Sequence, residues 1–153
     1  MTIYVVRHAK AGDRSRWEGP DALRPLSGKG RRQADRLATL LSGEGVRRVL
    51  SSPALRCRQT VEPLATRLAL DVEVFEGLAE GGALVDTLRL LEKVSDAPSV
   101  LCSHGDVIGA LVEHLADSAV PLDGEVRYPK GSVWRLDVRD GSIVGATYLA
   151  PPA

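Results

Sequence analysis

Short β-branched runs alternate along the chain with longer stretches in which apolar residues recur every three or four positions. That alternation predicts strands interleaved with amphipathic helices. The first run, Thr2–Val6, is a strand. Ser27 is placed to cap a helix from about Lys29 to Ser42, with Ala34, Leu37, Ala38 and Leu41 on one face and Gly43 and Gly45 beyond its end. Arg48–Ser51 is a second strand. Ser52-Pro53 then supplies a capping hydroxyl followed by proline at the first helical position. The helix it opens runs to about Leu68, with Leu55, Leu64, Ala65 and Leu68 turned inward. A strand at Asp71–Phe75, a loop carrying Glu76, Gly77, Glu80, Gly81 and Gly82, and a helix at Leu84–Val94 follow. Val100–Ser103 is a fourth strand and Val107–Leu115 a further helix, in which His114 reads as structural. In the tail, Ser132–Val138 and Ile143–Leu149 flank an Arg139-Asp140-Gly141 turn, which predicts a hairpin with Trp134 in its packing. Residues 117–131 show no period and fit either a loop at the mouth of a site or an extra edge element.

Strands separated by helices predict a mostly parallel sheet covered by helices on both faces, in one domain spanning 1–153. In such α/β folds ligands sit at the carboxyl ends of the strands. The chain delivers ionisable groups there from four segments. Arg7 and His8 follow the first strand in Val6-Arg7-His8, and Arg56 lies just beyond the second. Glu80 follows the third, and His104 follows the fourth in Ser103-His104-Gly105.

Composition narrows the setting. The 153 residues are 44% apolar and 26% charged, the profile of an ordinary globular protein with a sizeable core. No apolar run approaches the roughly 18 residues of a spanning helix, and the start lacks the features of a secretory leader, so the expectation is a cytoplasmic protein without membrane contact. Cys57 and Cys102 lack metal-ligand spacing and read as free thiols. Aromatic content is 4% and no nucleic-acid-binding motif occurs, which argues against a nucleic-acid partner. Charge is uneven: residues 1–67 hold 14 Lys/Arg against 6 Asp/Glu, and residues 68–153 the reverse. The basic half contains the first histidine motif and could focus a field on an anionic substrate.

Two arginines and two histidines at one sheet edge suit phosphoryl chemistry. Arginine matches phosphate oxygens with a planar, permanently charged fork, and Arg7 and Arg56 are the two clamps. A neutral imidazole can attack phosphorus in line, giving a phosphohistidine that water hydrolyses. A second histidine can stabilise the charge of the transition state. Gly105 allows close backbone approach, and the helix starting after Asp106 can offer N–H groups to phosphate. The leaving oxygen needs a proton; Glu80 is the first choice of acid, with Glu76 and Asp106 as alternates. Lys10, Arg14, Arg16 and Arg24 are ordinary solvated cations by type, and Lys10 and Arg24 are also candidate substrate contacts. Lys29 in Ser27-Gly28-Lys29-Gly30 lacks the spacing of a Walker motif.

The ordered set Val6-Arg7-His8-Ala9-Lys10-Ala11-Gly12, Arg24-Pro25-Leu26-Ser27 through Gly30 and Gln33-Ala34, Ser51-Ser52-Pro53 with Arg56 and Gln59-Thr60, Leu78-Ala79-Glu80 and Ser103-His104-Gly105 resembles the histidine phosphatase (phosphoglycerate-mutase-like) superfamily. The resemblance spans residues 6 to 105. It implies a three-layer α/β/α sandwich, no metal or other cofactor, His8 as phosphorylated nucleophile, Arg7, Arg56 and His104 as phosphate ligands, and Glu80 at the acid position. Arg7-His8-Ala9-Lys10-Ala11 is similar to the small SixA-type phosphohistidine phosphatases. The stretch from Arg7 to Pro25 is also similar to the phosphatase-like domain that follows a Nudix domain in some bacterial proteins, which acts on nucleotide phosphates.

The expected activity is therefore a metal-independent phosphatase. Its substrate would be phosphohistidine on a protein or, alternatively, a small phosphomonoester or nucleotide. Imidazole, with a conjugate-acid pKa of roughly 6.5, leaves far more easily than an alkoxide, so Glu80 matters most for ester substrates. A mutase fits less well, because the chain has little room for a water-excluding lid. A non-catalytic phosphate-binding module is the reading from a different class, and the intact Arg7, His8, Arg56 and His104 speak against it.

Overall fold

The computed structural model describes residues 1–153. Eleven helices and strands follow one another as β1 (Thr2–Arg7), α1 (Gly28–Leu41), β2 (Arg48–Ser51), α2 (Leu55–Leu68), β3 (Val72–Val74), α3 (Leu84–Lys93), β4 (Ser99–Ser103), α4 (Gly105–Asp117), β5 (Leu122–Asp123), β6 (Val133–Arg139) and β7 (Ser142–Leu149). They form one seven-stranded sheet in the order β3-β2-β4-β1-β6-β7-β5. Only β6 runs against the rest: it is antiparallel to β1 and to β7, while β1, β2, β3 and β4 are mutually parallel.

Alternation along the strands sorts the core onto two faces. Ile3, Val5, Leu50 and Leu101 pack with Leu90, Leu91, Ile108 and Leu111 of α3 and α4. Tyr4, Val6, Val49 and Val100 pack with Leu37, Leu41, Val61 and Leu64 of α1 and α2. The result is the expected three-layer α/β/α sandwich. Period-2 side-chain alternation places neighbouring residues on opposite faces, so each central strand is apolar throughout.

This topology positions the site. Neighbouring strands β1 and β4 pair Arg7 with Ser103, and the His8 N–H donates to the Ser103 carbonyl at 3.1 Å. β1 leads into α1 on one face and β4 leads into α4 on the other. The chain therefore diverges at the carboxyl ends of these two strands, where such sheets open a crevice.

The Ser27 cap forms as expected, accepting from the Gly30 N–H at 3.1 Å. A Cβ on Gly30 would fall inside the Lys10 carbonyl, so glycine there lets α1 approach the chain leaving β1. The start of α2 differs from the sequence reading. The helix begins at Leu55, with Ala54 rather than Ser52 at its N-cap. The Ser52 N–H still donates to the Cys102 carbonyl, which keeps Ser52 extended, and its hydroxyl is engaged at the site. The inward face of α2 is Cys57, Val61, Leu64 and Ala65, with Leu55 and Leu68 only half-buried. α4 begins at Gly105, directly after His104.

Residues 117–131 contain both alternatives. Leu122–Asp123 pairs in parallel with β7 as an edge strand. Beyond it the chain returns to the site, where the Gly131 N–H, at a φ of +84° that favours glycine, donates to the Arg7 and His8 carbonyls at 3.1 Å each. Cys57 and Cys102 are free and buried, and no helix is long and apolar enough to cross a membrane.

Candidate active site

His8 leaves β1 buried, and its Nδ1 lies 2.8 Å from the Ala9 carbonyl oxygen. A carbonyl only accepts, so this contact puts the ring proton on Nδ1 and leaves the Nε2 lone pair free. Burial pushes the His8 imidazole down to about 3; nearby His104, Arg56 and Arg7 push the same way, against the Ala9 hydrogen bond. His8 is thus an uncharged base at neutral pH.

The same lowering makes a stability prediction. An unfolded imidazole titrates near 6.5, so between about pH 3 and 6.5 the unfolded chain binds more protons than the folded one. The stabilisation is complete above about 6.5 and drains away as pH falls towards 3. The melting temperature of the wild type is expected to fall more steeply from pH 7 to pH 4 than that of His8→Asn; equal slopes would contradict the buried neutral imidazole.

Three further groups surround His8. The His104 ring lies 5.5 Å away, centroid to centroid, with its Nε2 2.8 Å from the Ser52 hydroxyl and 3.6 Å from Cys57 Sγ. Arg7 donates from Nη1 to the Tyr128 carbonyl at 3.0 Å. Its guanidinium packs over Gly105, where a Cβ would sit 2.8 Å from Arg7 Cζ. Arg56 is buried; Nη1 donates to the Asp21 carbonyl at 2.9 Å, and Nη2 is 3.1 Å from Asp21 Oδ2 and 3.7 Å from Glu80 Oε2. Arg7 Nε, Arg56 Nε and His104 Nδ1 are buried with no hydrogen-bond partner in the protein. Unpaired buried polar groups are costly, and here three of them gather around one imidazole.

Glu80 is half-exposed at the rim, 3.4 Å from Arg14 Nη2 as well as near Arg56. Of the alternate acids, Asp106 accepts from the Gly81 N–H at 2.7 Å and so braces the Glu80 loop. Glu76 is exposed at the start of a 3₁₀ turn and does not line the cleft. Lys10 lines the cleft. Arg24, read by type as a solvated cation, is buried: Nη1 donates to the Gly12 carbonyl at 2.6 Å and Nε to Asp21 at 3.1 Å. Arg16 pairs with Asp13 at 3.8 Å without lining the cleft, and the Trp17 indole donates to the Pro20 carbonyl, closing its own turn.

Several residues of the sequence motifs act as braces. The Thr60 hydroxyl accepts from the Ala9 N–H and donates to the Arg56 carbonyl; Gln33 Oε1 accepts from the Lys10 N–H, and Gln59 Oε1 from the Leu26 N–H. The sequence reading missed Asp21, Ser52 as the His104 partner, and Lys130. Asp21 joins Arg14, Arg24 and Arg56, and against the cost of its partial burial these arginines hold its carboxyl below the usual range. Asp21 is one of three acidic residues, with Asp13 and Glu18, in the basic stretch from Lys10 to Arg24, and nothing in the sequence singles it out. The completed cleft, about 680 Å³, is lined by Arg7, His8, Lys10, Glu80, His104 and Lys130 among others. No cluster of three or more His, Cys, Asp or Glu side chains is arranged to hold a metal ion.

Residues 3–85 match the histidine phosphatase superfamily (branch 1). The chain belongs to that family. Within the family it is of the SixA type: it is 33% identical over 128 residues to the phosphohistidine phosphatase SixA of Escherichia coli, covering 79% of this chain and 78% of that protein. The fold superposes on that of the protein histidine phosphatase SixA complexed with tungstate at a TM-score of 0.76, with 24% identity, covering 98% of this chain and 95% of the other. The chain is also 39% identical over 157 residues to the 8-oxo-(d)GTP phosphatase of Mycolicibacterium smegmatis. That match covers 99% of this chain but 48% of the relative, so the chain spans about half its length.

Proposed function

We propose that His8 is the nucleophile of a metal-independent phosphatase whose substrates are small phosphorylated molecules, nucleotides foremost. The observation that carries the reading is the free Nε2 of a neutral His8 ringed by three buried nitrogens without protein partners. In the first step Nε2 attacks phosphorus, the Nε2–P bond forms and the P–O bond to the leaving group breaks. Arg7, Arg56 and His104 hold the equatorial oxygens and bear their growing charge. Glu80 gives the leaving oxygen its proton. In the second step water attacks phosphorus, passes a proton to Glu80, and releases phosphate and neutral His8.

The nucleotide preference is supported by the similarity to the 8-oxo-(d)GTP phosphatase and by the cations lining the cleft. A second reading, phosphohistidine on a protein, is supported by the similarity to SixA. The discriminating experiment compares kcat/KM for a histidine-phosphorylated carrier protein with that for a panel of nucleotides and phosphomonoesters, all in EDTA. Higher values for the small substrates, unchanged by EDTA, are expected; a large excess for the carrier protein would favour the second reading, and loss of activity in EDTA would overturn metal independence.

Glu80→Gln separates leaving groups. Ester hydrolysis is expected to slow by about 10²-fold and phosphoramidate hydrolysis by less than about tenfold, because imidazole leaves with little help. Equal slowing would remove Glu80 from the acid role.

A further inference from the structure

The cleft carries more positive charge than one phosphoryl group needs. Arg7, Lys10, Arg14, Arg24 and Lys130 line it, against Asp13 and Glu80. Most of these charges are committed. Arg14 pairs with Asp21 and Glu80, and Arg24 with Asp21. Asp13 accepts from the Ser15 N–H and hydroxyl, and Arg16 is its ion-pair partner. Lys10 and Lys130 are different: each lines the cleft, and neither has a carboxylate within ion-pairing distance or a side-chain hydrogen bond.

Both lysines stand on pinned backbone. The Lys10 N–H donates to Gln33, and its carbonyl accepts from the Ser27 N–H and hydroxyl. Lys130 sits between Tyr128, whose carbonyl holds Arg7, and Gly131, whose N–H is tied to the Arg7 and His8 carbonyls. The loop that carries Lys130 is thus fastened to the two residues that define the phosphate pocket. Burial, and then repulsion from Arg7, Arg24, Arg14 and Lys10, hold the Lys130 ammonium below the usual lysine range. No carboxylate pairs with either lysine to offset this repulsion; a substrate with further negative charge beyond the transferred phosphoryl would.

We propose that Lys10 and Lys130 form a second anion subsite that receives the penultimate phosphate of a phosphoanhydride, as in a nucleoside diphosphate. The assignment rests on the His8 phosphatase reading and deepens it. With such a substrate the His8 Nε2–P bond forms as the bridging P–O bond breaks. The electron pair goes to the bridging oxygen of the departing phosphate, whose charge falls between the two ammonium groups. A departing phosphate needs far less protonation than an alkoxide, which suits a Glu80 already set against Arg14 and Arg56. Water then hydrolyses the phosphohistidine, giving inorganic phosphate.

The test measures kcat/KM in EDTA for GDP, GMP, p-nitrophenyl phosphate and a phosphohistidine carrier protein, with wild type, Lys10→Ala, Lys130→Ala, Lys130→Glu and Lys130→Arg. The wild type is expected to prefer GDP over GMP by more than about tenfold. Each alanine variant should lose about tenfold of that ratio, Lys130→Glu more, and Lys130→Arg little, with GDP hydrolysis becoming less salt-sensitive as charges are removed. A wild-type ratio at or below one, or equal losses on GDP and GMP, overturns the subsite. So does a loss confined to the carrier protein, which would make the lysines a protein-docking surface. If no substrate is turned over, the phosphatase reading fails separately. Calorimetry with pyrophosphate and phosphate still decides the subsite: it stands if Lys10→Ala and Lys130→Ala weaken pyrophosphate binding selectively, and falls if they do not.

Discussion

His8→Ala is expected to lower kcat by at least about four orders of magnitude on every substrate, because it removes the atom proposed to form the covalent bond. The remaining groups, Arg7, Arg56 and His104, keep their own supports at Tyr128, Asp21 and Ser52. The variant should therefore still bind inorganic phosphate. That pairing of outcomes matters, since a misfolded variant would lose both. The wild type quenched during turnover should carry a phosphoryl group on Nε2 of His8, seen by phosphorus NMR or mass spectrometry of the digested chain, and His8→Ala should carry none. Retained turnover, or a phosphoryl group found on His104 instead, would refute the assignment. His104 is the weaker candidate on geometry: its Nε2 is occupied by the Ser52 hydroxyl, whereas Nε2 of His8 is free.

What could be read from the sequence follows from which interactions are local. β1 and β4 were legible because a strand buried on both faces is apolar throughout, so the polar pairs Arg7-His8 and Ser103-His104 at its ends stand out. α1 was legible because its cap, Ser27, directly precedes the fourteen residues that carry its apolar face. The start of α2 was not, because the Ser52 hydroxyl has a partner fifty-two residues away in His104. Glu80 follows the third strand in the sequence, and the fold brings it to the rim. Glu76, four residues earlier, has the same chemistry and the same loop, yet the 3₁₀ turn leaves it outside. Asp21 and Lys130 are site residues only through tertiary contacts: the first through three arginines, the second through hydrogen bonds from Gly131 to the backbone of Arg7 and His8.

Arg56→Lys should lower kcat/KM by about 10² to 10³, to a similar degree for monoesters, anhydrides and phosphoramidates. The substitution keeps a positive charge, so the loss isolates geometry. One guanidinium reaches the Asp21 carbonyl at 2.9 Å, the Asp21 carboxylate at 3.1 Å and Glu80 at 3.7 Å, and still keeps a buried Nε without a protein partner. A single ammonium on a flexible stem cannot divide itself among these directions. Stability should fall by about 1–3 kcal/mol, since Arg56 is buried and its partners would be left incompletely paired. Substrate independence is the diagnostic. Lys10 and Lys130 are proposed to read what lies beyond the transferred phosphoryl, and Glu80 to answer to the leaving group. Arg56 is proposed to hold the phosphoryl itself, which every substrate shares. A loss of less than about tenfold, or one confined to a single substrate class, would mean that Arg56 serves mainly to anchor Asp21 and the loop between β1 and α1. Asp21→Ala, which removes the carboxylate but leaves the guanidinium, should in that case match Arg56→Lys in full, and otherwise reproduce only a part of its effect.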